Sequence, residues 1–308
     1  MISLDTFLTE LYVMADDFCK TLPPEPAREG ARPTLTRSEV ITLALTGQWA
    51  LFPSERAFYR YAWRHLRAAF PTLPTRPQFN RLVRHFQASI VAFFHHLVQT
   101  LHAPTACYEV LSGMGVATRD AKRRASGWLP SVADVGWCTR LGWYEGVHVL
   151  TAVTCDAVIT GFGCAEASTK DQPLAETFLA ARSQPHPRLQ TVGAPASGPY
   201  LLDKGFEGQA WHRRWREQYD ALVICPPKRN SQVRWPKRLR RSFAGKRQIV
   251  ETVHDKLIEA FRLERERPHA LDGLLARLTA MMTLHNFCIW LNEKLGRPRL
   301  AFVDLIDW

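Results

Sequence analysis

The sequence predicts an α/β protein: a mixed sheet with flanking helices, preceded by a small all-helical N-terminal domain. Three observations predict it. Apolar residues recur at helical spacing from Thr36 to about residue 104. Short segments rich in Val, Ile, Leu and Tyr follow, punctuated by Gly and Pro. Beyond Arg247 the helical period returns.

In the first third, each helix carries a start signal. "TRSE", Thr36 to Glu39, is a capping box in which hydroxyl and carboxylate each satisfy a free amide of the first turn, and Val40, Leu43 and Ala44 give the apolar face. A second helix begins at Ser54 after Pro53, with Tyr59, Ala62, Trp63 and Leu66 at helical spacing and arginines between them. A third starts at "TRPQ": Thr75 caps, Pro77 suits the first turn, and Leu82, Phe86, Ile90 and Phe93 continue the stripe. Residues 1–104 therefore read as a helical N-terminal domain, either an ordinary bundle or a DNA-binding helix-turn-helix unit. Arg56, Arg60, Arg64 and Arg67 suit phosphate contacts or a plain solvated face.

Residues 105–308 form the second domain. "CYEVLSGMGVA", "SVADVGWC", "YEGVHVLTAVTCDAVI", "YLLDKGF" and "ALVICPP" have strand composition, and the first three follow closely enough for antiparallel hairpins. "TKDQPLAETFLAAR" reads as a helix capped by Thr169 or Asp171, and "EGQAWHRRWREQY" as another. Val250, Val253, Leu257 and Phe261 form a later apolar stripe, and a long, nearly all-apolar helix closes at Gly296.

The composition, 46% hydrophobic over 308 residues, supports a sizeable core. A net charge of +11 favours a polyanionic partner, because each neutralised phosphate releases a counterion. The seven cysteines are scattered, with no Cys-x-x-Cys pair, which speaks against a disulfide framework or zinc ribbon. The first twenty residues carry acids through their apolar stretch, unlike a signal peptide, and no run of about 18 apolar residues is read anywhere in the sequence. A cytoplasmic protein with no membrane partner is expected.

Two carboxylates stand out. Asp203 ends a strand just before a glycine turn, where α/β proteins project their reactive groups. Glu251 lies four residues after Arg247, on the same flank of a helix. Together they suit a magnesium ion, which takes oxygen ligands and keeps several waters; ion pairs of Glu251 with Arg247 or Lys256 account for the same residues. Between them, the insertion 228–247 holds nine basic residues and no acid: Lys228, Arg229, Arg234, Lys237, Arg238, Arg240, Arg241, Lys246 and Arg247. Such a stretch is expected to be a mobile loop when alone and to bind the phosphate backbone, with Trp235 stacking on a base or tucking into the surface.

With these residues assembled, residues 107–300 resemble the insertion-sequence transposases that carry a DDE catalytic domain of ribonuclease H-like fold. Asp203, Lys204, Gly205 and Phe206 match the family's "DKGY"-type motif, and Arg247 with Glu251 matches its "R-x-x-x-E" helix. "GWYEGVHVLTAVT" looks like the family's "fyGyKlH" strand and "LNEKLGRP" like its C-terminal ending. Where the family often has a lysine seven residues after the glutamate, this chain has Ile258, with Lys256 nearby. The resemblance implies three carboxylates holding two Mg2+ or Mn2+ ions, strand cleavage and transfer at transposon ends, double-stranded DNA as partner, and a homodimer on that DNA.

It also implies a first acid in the opening strand, and there the alignment puts Ser112 of "SGMGV". A hydroxyl cannot supply a bridging carboxylate's charge, so an impaired catalytic site of Ser112, Asp203 and Glu251 is expected, with metal contacts left to Asp203 and Glu251. A DNA-binding protein without catalysis is the second reading. Glu109, facing the other side of a regular strand, would serve only in a shifted register; Asp120 and Asp134 are the remaining neighbours.

Overall fold

The computed structural model describes all residues except 25–32, 120–128, 130–131, 229–230 and 266. Asp120 and Arg229, both candidates above, lie outside the described residues. In chain order the helices are α1 (Leu4–Thr21), α2 (Arg37–Thr46), α3 (Glu55–His65), α4 (Arg76–His85), α5 (Gln87–Thr100), α6 (Asp171–Ser183), α7 (Gln209–Tyr219), α8 (Lys237–Glu259) and α9 (Leu271–Lys294). The strands are β1 (Ile2–Ser3), β2 (Glu109–Arg119), β3 (Asp134–Cys138), β4 (Gly142–Thr154), β5 (Ile159–Glu166), β6 (Tyr200–Leu201), β7 (Val223–Ile224) and β8 (Ile306–Asp307). N-terminal helices are thus followed by a mixed six-stranded sheet with flanking helices.

Two compact units emerge, Met1–Leu97 with Lys256–Trp308, and Val98–Asp255. The boundary at 104 read from the change of period assigned α9 to the strands; the helix instead groups with the N-terminal helices. Sixteen residues of α9 are buried, on every side, and a helix that is apolar all round needs neighbours all round. By length and composition α9 could cross a membrane, yet most of its apolar window is buried.

In that unit the capping signals hold. Thr36 and Glu39 form the reciprocal box at α2, Ser54 accepts from Ala57 N at 3.1 Å at the start of α3, and Thr75 pairs with Gln78 at α4. The stripe from Leu82 to Phe93 is two helices, broken at Phe86 (φ −90°, ψ 14°). Helix α1 escaped the sequence reading because its acids were weighed only against a signal peptide. Phe7, Leu8, Leu11, Ala15 and Phe18 form its buried stripe, and Phe7 meets Trp49 and Phe287 edge-on at 5.9 and 5.6 Å.

The second unit is built on β2. Its sheet runs β3-β4-β2-β6-β7, with β5 joining the far half of β4. β2 is antiparallel to β4 and parallel to β6, and β6 is parallel to β7. The segment read as one long strand, "YEGVHVLTAVTCDAVI", is the β4–β5 hairpin, closed by Thr154 N donating to Val158 O. Ala157 takes the left-handed conformation there (φ 65°), so the turn carries no glycine to announce it.

Alternation along β2 sorts its side chains onto two faces. Glu109 and Leu111 face α6: Glu109 bonds Arg182 of that helix, and Leu111 shares a core with Leu174, Phe178 and Leu179. Ser112 faces α8, because its cross-strand neighbour Thr151 bonds His254 of that helix at 2.8 Å.

Part of the basic insertion requires correction. From Lys237 onward it is not a loop but the first eleven residues of α8, with Arg240 N donating to Pro236 O at 3.1 Å. Lys, Arg, Leu and Ala are strong helix formers, and Phe243 extends the buried stripe of Val250, Val253 and Leu257 back into the basic stretch.

Candidate acidic site and nucleic-acid interface

The parallel pairing of β2 with β6 stops at Val110 opposite Leu201. Ser112 and Asp203 each lie two residues beyond that pair, on the same flank of neighbouring chain segments. Asp203 is then held by the turn it opens: its Oδ1 accepts from Gly205 N at 2.6 Å, and its carbonyl accepts from the Cys225 thiol at 2.8 Å. Burial pushes that thiol up to about 12, so it remains a donor at neutral pH.

Helix α8 crosses this face diagonally. Arg247 Nη2 stands 3.9 Å from Asp203 Oδ2, and His254, seven residues on, reaches Thr151 beside Ser112. Seven residues of helix advance about 10 Å, which matches two strand spacings of about 4.8 Å each. Glu251, four residues past Arg247, lies along the helix between the two anchors. Arg247 and His254 thus tie α8 to Asp203 and to Thr151, the cross-strand neighbour of Ser112, while Glu251 lies between them in sequence with its side chain exposed.

Sequence reasoning missed a fourth acid. Asp171, weighed only as a cap, is the first residue of α6, while Lys170 holds the cap position. A methyl group on Gly205 would overlap Asp171 Oδ2 and come 2.9 Å from Asp203 Oδ1, so the two carboxylates flank one α-carbon. Burial raises the Asp171 carboxyl above the ordinary carboxylate range, with His148 opposing and Asp203 reinforcing the rise. His148 Nε2 stands 3.5 Å from Asp171 Oδ1, and its Nδ1 meets Thr169 O at 2.9 Å. No motif pointed to Asp171; its helix-start position gave an innocuous explanation for it.

Gly205→Ala is accordingly expected to cost about 1–3 kcal/mol, as overpacking does, by forcing the two carboxylates apart. Urea denaturation checks it, and an unchanged midpoint would show that Asp171 swings away freely.

The other neighbours of Ser112 are committed elsewhere. Glu109 is fully buried and paired with Arg182 at 2.6 Å, so the shifted register in which it would serve as ligand does not occur. Asp134 caps a turn by accepting from Ser168 N at 3.0 Å. Among the described residues, no three His, Cys, Asp or Glu side chains gather to hold a metal ion. Position 112 offers only a hydroxyl, and a guanidinium already stands beside Asp203. This donor set does not fit a two-ion centre of three carboxylates.

The basic residues are arranged differently. Arg234, Lys237, Arg238, Arg240, Arg241 and Lys246 are exposed and form no ion pair among the described residues. Lys246 lies 4.7 Å over the ring of Tyr108. Lys228 is paired with Glu207 at 3.3 Å. Trp235 tucks edge-on against Phe243 at 5.2 Å, so it does not stand free for stacking. No acid sits in the first turn of α8, where the positive end of the helix dipole meets Lys237, Arg238 and Arg240. Cations at that end raise the free energy of the bare helix, and an anion relieves it.

Comparison with protein-family models, curated proteins and solved structures finds no match for this chain.

Proposed function

We propose that the protein is a DDE-transposase-type protein that binds duplex DNA, transposon ends by family resemblance, and whose strand-cleaving site is impaired by Ser112. The observation that carries this reading is the β2–β6 register, which aligns Ser112 with Asp203 on one flank, beneath the helix that bears Arg247 and Glu251. It is supported by the strand arrangement, four strands joined antiparallel and two more running parallel to β2 on its other flank, with α6 and α8 on opposite faces, which agrees with a ribonuclease H-like domain. Binding rests on the exposed cations of α8, which call for a polyanion whether or not cleavage occurs.

Because the present residues do not fit the two-ion centre, no catalytic step is assigned to the wild-type chain. Mg2+ or Mn2+ would belong to a site in which aspartate replaces Ser112. A homodimer on paired DNA ends follows from the resemblance. The alternative, a protein retained for DNA binding alone, shares the same interface.

Electrophoretic mobility shift against salt concentration tests the interface. Replacing Lys237, Arg238, Arg240 and Arg241 by glutamine should flatten the slope of log affinity against log salt by about 3–4, close to 0.9 for each phosphate no longer neutralised. Circular dichroism monitors the fold. A folded variant with the wild-type slope would remove α8 from the interface.

A further inference from the structure

Two thiols stand apart from the site already described. Cys107 precedes β2 and is exposed; Cys155 opens the β4–β5 turn and is half-buried. Their Sγ atoms are 3.8 Å apart, although 48 residues separate them in sequence. Both are free. The antiparallel ladder brings them together: its last pair, Glu109 with Thr154, lies just inside the two cysteines.

We infer that Cys107 and Cys155 are an oxidisable pair, closed to an intramolecular disulfide by a low-molecular-weight disulfide of the glutathione class.

The sulfur separation must shrink to about 2.05 Å. That is less than 2 Å of travel for two side chains just beyond the end of the β2–β4 ladder, where Cys107 has solvent on one side. The exchange is balanced. The Cys107 thiolate attacks one sulfur of oxidised glutathione and releases one glutathione thiolate. Cys155, deprotonated, then attacks the Cys107 sulfur of the mixed disulfide and releases the second. Two thiol protons and two electrons leave the protein, and one oxidised glutathione becomes two reduced molecules. The order follows from access. Burial, and the neighbouring Cys107 and Asp156, push the Cys155 thiol up to about 11, so it suits the second, intramolecular step, where proximity compensates for a low thiolate fraction.

Closure would tie the start of β2 to the β4–β5 turn and fix Tyr108, the ring under Lys246. None of this depends on the proposed DNA-binding role.

The test uses the full chain incubated with oxidised glutathione, then alkylated and analysed by intact mass and non-reducing peptide mapping. The expected product is lighter by two hydrogens and yields one cross-linked peptide joining residues 107 and 155. Its Tm should rise by several degrees, as a loop of this length implies, and fall back on reduction. Cys107→Ser should fail to form the cross-link, and Cys155→Ser should stop at a glutathione adduct on Cys107. An intact protein that accumulates adducts without the cross-link, or that cross-links other cysteines instead, overturns the inference.

Discussion

On the proposed reading, Ser112→Asp is expected to nick supercoiled DNA in the presence of Mg2+ or Mn2+ at least about 10²-fold faster than the wild type. That factor is the usual scale for one preorganised group that stabilises developing charge. The position is already aimed correctly: it is buried to 9% exposure, on the α8 side of β2, two residues past the same register pair as Asp203. A new carboxylate there meets the repulsion of Asp203, so the variant should melt below the wild type in a metal chelator. Added Mg2+ should restore it, by about 2.7 kcal/mol at one hundred times the dissociation constant. Ser112→Asn, similar in size but neutral, should show neither response. A folded Ser112→Asp protein with no cation-dependent shift and no nicking would mean that the transposase alignment is wrong at its first acid.

The second large effect concerns the opposite face of the same strand. Replacing Arg182 by methionine is expected to destabilise the protein by about 3–5 kcal/mol, because it leaves Glu109 charged, buried and without its counter-ion. In the native chain burial works against the Arg182 charge, and Glu109 and Tyr200 outweigh it. The guanidinium donates to Glu109 Oε2 at 2.6 Å, Tyr200 Oη at 3.0 Å, Thr160 Oγ1 at 3.0 Å and Val192 O at 3.2 Å. Glu109 also accepts from Ala196 N at 3.1 Å and from the Thr160 hydroxyl. Adding Glu109→Met should recover much of the stability, since a well-packed apolar pair is often no less stable than a buried ion pair. Urea midpoints across the cycle check both statements. A double variant as unstable as the sum of the single ones would show that the two residues act separately.

What could be read from sequence was what local chemistry announces. The Thr36 and Ser54 caps, the strand segments and the strand-end setting of Asp203 all follow from side chains acting on nearby backbone. The four-residue spacing of Arg247 and Glu251 belongs with them, since a helix alone puts both on one flank. What escaped depends on partners far along the chain. Asp171 matters because α6 delivers it beside Asp203, and nothing within a few residues of it says so. Lys237 to Arg247 looked like a repelling, unfolded stretch because charge was counted and the buried Phe243 was not. The β4–β5 turn was invisible because alanine occupies its left-handed position.

β2 is hydrogen-bonded on both flanks, to β4 and to β6. A slip by one residue would swing Glu109 out of its pocket and expose Leu111, so the strand has no freedom of alignment. Among the described residues the Ser112 hydroxyl makes no hydrogen bond to the scaffold, which holds this position through its backbone, with Ser112 O accepting from Thr151. A substitution there is therefore felt first by the neighbouring charges and only second by the strand, whose alignment is held by the residues on either side.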